Sequence, residues 1–74
     1  MKNLILEVRE NENTRDWETL KRTKSTKRNI KSYQNQAKKL IKKGIHEVHI
    51  VALTENDPTF QEFYYNDGTF FKMF

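Results

Sequence analysis

RNIKSYQNQAKKLIKKGIHEVHIVAL, residues 28–53, changes its hydrophobic period in mid-course, and that change decides the fold. Ile30, Tyr33, Ala37, Leu40 and Ile41 recur in steps of three and four, which draws one apolar stripe along a helix over residues 28–43. Ser25, Thr26 or Asn29 can cap its start, and Gly44 followed by Ile45 matches a left-handed helix end with an apolar contact beyond it. From residue 45 to 53 the period drops to two, with Val48, Ile50 and Ala52 on one side and Val51 and Leu53 on the other. A strand apolar on both faces belongs at the centre of a sheet, and if the helix leading into it is a crossover, it runs parallel to a neighbour.

The flanks supply the other strands. Leu4, Leu6 and Val8 alternate with Ile5, Glu7 and Arg9, the pattern of a strand with one face on a core. Residues 11–14 are polar and rich in Asn, so they read as a turn of a hairpin. Residues 17–23 then form an edge-like strand with few apolar positions; a helix starting at Asp16 is the competing assignment. After a loop at residues 54–59 with the only proline, Pro58, two aromatic strands follow at 60–65 and 69–74, joined by Asn66, Asp67 and Gly68, which tolerate positive φ. The expectation is a single small α+β domain over residues 1–74, a mostly antiparallel ββαβββ sheet with one amphipathic helix packed on one face.

Size limits what such a domain can do. A chain of 74 residues hides only about 60 % of the surface its unfolded form exposes. With 35 % hydrophobic residues and no cysteine, it has neither disulfide nor thiolate metal cage to help it. The lack of cysteine fits a reducing compartment, and the N-terminal residues are too short and too charged for an export signal, so cytoplasm is the expected location. No apolar run approaches the roughly 20 residues of a membrane span. The abundance of Asn, Lys, Ile, Phe and Tyr is the bias of AT-rich codons, which fits a phage, a mobile element or a low-GC bacterium.

Charge is the most informative functional feature. Ten basic side chains and no acid lie between residues 21 and 43. At 100° per residue, Arg28, Lys31, Asn35, Lys38 and Lys42 fall along one ridge of the helix, about 21 Å long, whereas a duplex carries one charge every ~1.7 Å of axis. Lys21, Arg22, Lys24 and Lys27 lie on the approach and can widen the patch. Lys38, Lys39, Lys42 and Lys43 suit the negative end of the helix dipole; Lys27 and Arg28 stand at the end that prefers anions, so another requirement is acting on them. A solvated face that keeps the protein in solution is the plain explanation of such a run. Contact with a polyanion is the sharper one, and because Lys outnumbers Arg it points to phosphates rather than to base reading.

Seven of the nine aromatic residues, Phe60, Phe63, Tyr64, Tyr65, Phe70, Phe71 and Phe74, lie in the last fifteen positions. One helix cannot cover both faces of such strands, so some rings form core and Phe70, Phe71 and Phe74 are expected at an interface, as in a homodimer. Base-stacking rings are the alternative, weakened by Lys72 being the only basic residue nearby in sequence. His46 and His49, three apart on a strand, would face opposite ways and cannot share a metal ion. Glu62 and Asp67 read as a solvent-facing strand residue and a turn residue rather than an acid/base pair, Glu47 as a screen for lysines, and residues 55–57 as a turn without the spacing of a calcium loop. Ser25 and Ser32 have no histidine at a readable spacing, and no Gly-rich cradle is present.

No motif in the chain resembles that of a known family. The expected function is therefore a small non-catalytic protein, without cofactor or metal, that binds nucleic acid through Lys21, Arg22, Lys24, Lys27, Arg28, Lys31, Lys38 and Lys42. The alternative is a protein-interaction module, such as a small phage or mobile-element regulator or inhibitor, that docks its aromatic hairpin or basic face onto an acidic protein. Membrane attachment is not expected, because the sheet needs the helix's apolar stripe.

Overall fold

A computed structural model describes residues 2–11, 13, 15–54 and 57–73. The order of elements is β1 (Lys2–Arg9), β2 (Glu18–Lys24), α1 (Lys27–Lys42), β3 (Glu47–Thr54), β4 (Asp57–Tyr65) and β5 (Phe70–Met73), the ββαβββ order that the periodicities imply. The strands form one open sheet in the order β2-β1-β3-β4-β5, and every neighbouring pair is antiparallel.

The central position expected of β3 is observed, but not a parallel neighbour. β2 and β3 both run antiparallel to β1, so they are parallel to each other with β1 between them. The helix is indeed a crossover; the first strand fills the slot it leaves, giving a split βαβ unit. A second difference lies at Pro58, where β4 already pairs, Leu53 with Pro58 and Thr54 with Asp57, instead of forming a loop. A register shift between Ala52 and Leu53 accommodates it, and β5 pairs only from Gln61 onward, so proline's missing N–H disrupts no ladder on that side. Glu55 and Asn56 of the expected turn, and Phe74, lie outside the described residues.

Sequence dictates both helix ends. Thr26 is extended (φ −120°, ψ 159°) and its hydroxyl accepts from the Asn29 N–H at 3.1 Å, while the Asn29 amide donates to Lys24 O at 2.9 Å and ties the first turn to β2. At the other end Gly44 N–H donates to Ile41 O at 3.1 Å and Ile45 N–H to Leu40 O at 3.2 Å, the bonding of a Schellman motif. Gly44 has φ +102°, which L side chains rarely adopt, and Ile45 packs on the core beyond it.

The core is the layer between α1 and the sheet. Leu4, Leu6 and Val8 of β1 and Val48, Ile50 and Ala52 of β3 meet Tyr33 and Ala37 of the helix, with Ile30, Leu40, Ile41, Ile45, Phe60 and Tyr64 around them. Alternation sends Ile5, Glu7 and Arg9, then Glu47, His49 and Val51, then Gln61, Phe63 and Tyr65 to the other face of the sheet. Among the described residues, no helix lies on that face. Among the described residues, no helix is long and apolar enough to cross a membrane.

Candidate nucleic-acid interface

Because Tyr33 and Ala37 fix which side of α1 is buried, the opposite arc must carry its lysines outward. Lys27, Lys31, Lys38 and Lys42 fall within about 60° of one another around the axis, and Arg28 about 40° further. All five are exposed, as is Lys39, which extends the same arc. Among the described residues, the close ion pairs join Arg9 to Glu47, His46 to Glu47 and His49 to Glu7; none involves a cation of this arc.

The basic residues before the helix are placed differently. Lys21, Arg22 and Lys24 are exposed on the edge strand β2. Lys21 pairs opposite Leu6 and shares the helix side of the sheet, whereas Arg22 and Lys24 pair opposite Ile5 and Asn3 and face the other way. Asn29 faces β2, reaching Lys24 O, while Gln34 faces β4, reaching Glu62, so the lysine arc overhangs the β4–β5 side of the molecule. Of the eight sequence-derived contacts, Lys27, Arg28, Lys31, Lys38 and Lys42 come together; the three on β2 stand apart from them.

Beneath that overhang is a groove of about 640 Å³ between α1 and the β4–β5 hairpin. Lys38, Lys42 and Lys72 border it, and Ile41, Tyr64 and Phe70 supply apolar walls. Glu62 lines it as well, only 2 % exposed, and accepts from the Gln34 amide at 2.8 Å. The solvent-facing position expected for Glu62 is therefore incorrect: alternation aims it at the helix, and a partner 28 residues earlier in the chain satisfies it. Burial, and then the charge and hydrogen bonding of Glu62, push the Tyr64 hydroxyl up to about 12. Asp67 is a turn residue as expected. Hydrogen bonding from the Thr69 hydroxyl, and then from the Thr69 N–H at 2.8 Å, holds its carboxyl pKa below the ordinary value.

The hairpin at residues 66–68 closes with Tyr65 N–H donating to Thr69 O at 3.0 Å and Gly68 at φ +90°. Successive residues of β5 then point to opposite faces. Phe70, 48 % exposed, turns toward the groove with its ring 5.0 Å from that of Tyr64; Phe71, 52 % exposed, lies on the uncovered face 6.3 Å from Phe63. The two rings expected at one interface thus belong to two surfaces, and Phe74 lies outside the described residues.

On the uncovered face a polar cluster escaped the sequence reading. His49, 8 % exposed, is no ordinary strand residue: Nδ1 lies 2.5 Å from Glu7 Oε1, Nε2 lies 3.0 Å from the Gln61 side-chain oxygen, and the ring stacks on Phe63 at 4.3 Å. The Trp17 ring lies 5.3 Å from the His49 ring at a tilt of 48°, and the Arg9 guanidinium sits over the Trp17 ring at 5.8 Å. His46 precedes β3 rather than lying in it, and Glu47, instead of screening lysines, accepts from Arg9 at 2.9 Å. Alternation alone could have flagged His49 and Glu7, since both fall opposite the core positions of their strands, but their pairing depends on the β1–β3 register. Among the described residues no cluster of three or more His, Cys, Asp or Glu could hold a metal ion.

Compared with protein-family models, with curated proteins and with solved structures, the chain has no match.

Proposed function

We propose that this chain is a small non-catalytic nucleic-acid-binding protein that lays the outer face of α1 on phosphates. One observation carries the proposal: Lys27, Arg28, Lys31, Lys38 and Lys42 share an exposed arc with none of them in a close ion pair among the described residues. Fixed cations gathered this way gain by releasing the counterions of a polyanion. Lys27 and Arg28 support the reading further, since they occupy a first helical turn that holds no acid and that electrostatics would give to carboxylates. Charge reversal at Lys31 and Lys38 together is expected to abolish a gel shift that the native protein gives at low salt. Absence of any shift by the native protein at low salt would end the proposal.

A second reading has its own observation. Phe71 and Met73, 52 % and 44 % exposed, stand on the uncovered sheet face beside Phe63 and Tyr65, an apolar surface suited to an apolar patch of a partner protein or of a second copy of this chain. Phe71→Ser would then disrupt a complex or dimer seen by light scattering and leave the gel shift intact.

A further inference from the structure

The fold removes the objection that aromatic residues near the C-terminus lack basic neighbours. Lys38 and Lys42 are far from Phe70 in sequence, yet they border the same groove, with Lys72 on β5. The groove is asymmetric in charge and polarity. Its outer border carries the exposed Lys38 and Lys42 of α1 and Lys72 of β5, whose ammonium lies 5.7 Å from the Phe60 ring centre; its walls are Ile41, Tyr64 and Phe70, and its inner polar groups are the buried Glu62 and the half-buried Gln34. A phosphate is attracted to the border and repelled from the Glu62 carboxylate, whereas a flat, uncharged, hydrogen-bonding ring suits the interior. An occupant that satisfies both parts is a planar heterocycle with an anionic group attached to one end.

We propose that the groove takes an unstacked base of single-stranded nucleic acid, with Phe70 as the stacking platform and Lys38, Lys42 and Lys72 on the flanking phosphates. The proposal rests on the nucleic-acid reading above and adds the strand form to it. A base paired inside a duplex cannot reach a site walled by the helix on one side and the hairpin on the other, so the groove distinguishes strand from duplex where the helix face does not. Phe70 is suited to this role because it is half exposed: Tyr64 meets its ring at an interplanar angle of 55°, which leaves aromatic surface open to a base. Gln34, half-buried and held by the N–H it donates to Glu62, has a side-chain oxygen and a second N–H with which to meet a base edge, a capacity an apolar groove would lack.

The test measures fluorescence anisotropy of one labelled oligonucleotide as a single strand and as a duplex, with a mononucleotide as competitor, against native protein, Phe70→Ala and Lys31→Glu. The expected result is tighter binding of the strand than of the duplex. Phe70→Ala should weaken the strand about tenfold, the usual size of one lost stacking contact, and leave the duplex unchanged. Lys31→Glu should weaken both forms. A 2-aminopurine placed in the strand should lose fluorescence on binding native protein and retain it with Phe70→Ala. Equal affinity for strand and duplex, with Phe70→Ala binding both like native protein, overturns the groove proposal and leaves the helix-face reading standing. Failure of both nucleic-acid forms to bind at low salt overturns both. Displacement by the mononucleotide as effective as by the strand also overturns it, since the site would then serve a free nucleotide. Circular dichroism of Phe70→Ala shows whether the fold is retained; should it not be, Phe70→Leu, which keeps apolar volume and removes the ring, makes the same comparison.

Discussion

Glu62 and His49 are the two buried polar residues whose surroundings most constrain the molecule. Alternation within each strand gives the face on which it lies, but the partners that make burial tolerable, Gln34 for one and Glu7 and Gln61 for the other, come from other elements. Replacing His49 by Ala strands the Glu7 carboxylate and removes the ring stacked on Phe63, and a loss of about 1–3 kcal/mol is expected in urea denaturation. An unchanged midpoint would show the cluster to be incidental. Tyr64 gives a prediction in pH. Its folded pKa of about 12 stands above the ordinary 10.0, so the folded state holds this proton more tightly than the unfolded one. The corresponding stability is complete below pH 10 and is lost as pH rises from 10 toward 12. Tyr33 and Tyr65 are also raised and share in the alkaline decline, so denaturation series should show a shallower decline for Tyr64→Phe than for native protein. Parallel declines would contradict it.

At the scale of elements, the legible parts were those whose signal is local. The helix stripe, a cap among Ser25, Thr26 and Asn29, and Gly44 with Ile45 at the helix end are written within a few residues of one another, and the structure realises the stripe and the helix end and selects Thr26 from the three. The lysine arc was legible for the same reason, since helical geometry alone places Lys31, Lys38 and Lys42 together. The direction of β3 was not. A crossover helix fixes β3 parallel to β2, but nothing local to either strand says that β1 inserts between them. Pro58 misled in a related way, because a proline is compatible with a strand at its start, beside a register shift and beyond the reach of the next strand. The first turn of α1 gives the element-scale prediction. Lys27→Glu replaces a cation with an anion at the positive end of the helix, so it should raise stability by about 0.3–1 kcal/mol while it weakens nucleic-acid binding. Thermal melting and gel shift on the same sample measure both, and a variant that loses stability and keeps affinity would contradict the role assigned to this turn.

For the whole molecule, topology divides the surface in two. One sheet face packs α1, whose outward arc concentrates cations above the groove; the other face carries His49, Trp17, Phe63 and Phe71 with the paired charges Arg9 and Glu47. The formal net charge of +4 is modest, and what distinguishes the chain is the segregation of that charge. Sequence shows the segregation, but only the fold reveals that Lys21, Arg22 and Lys24 lie away from the helix arc while Lys72 joins it at the groove. The most direct test of the central claim is the salt dependence of binding to a labelled oligonucleotide between about 50 mM and 200 mM salt. With five cations of α1 on phosphates, log affinity should fall against log salt with a slope of about −3.5 for a single strand to about −4.5 for a duplex, and less steeply when Lys31→Gln removes one of those cations. Binding that is absent at low salt, or whose affinity does not change across that range, would contradict the account.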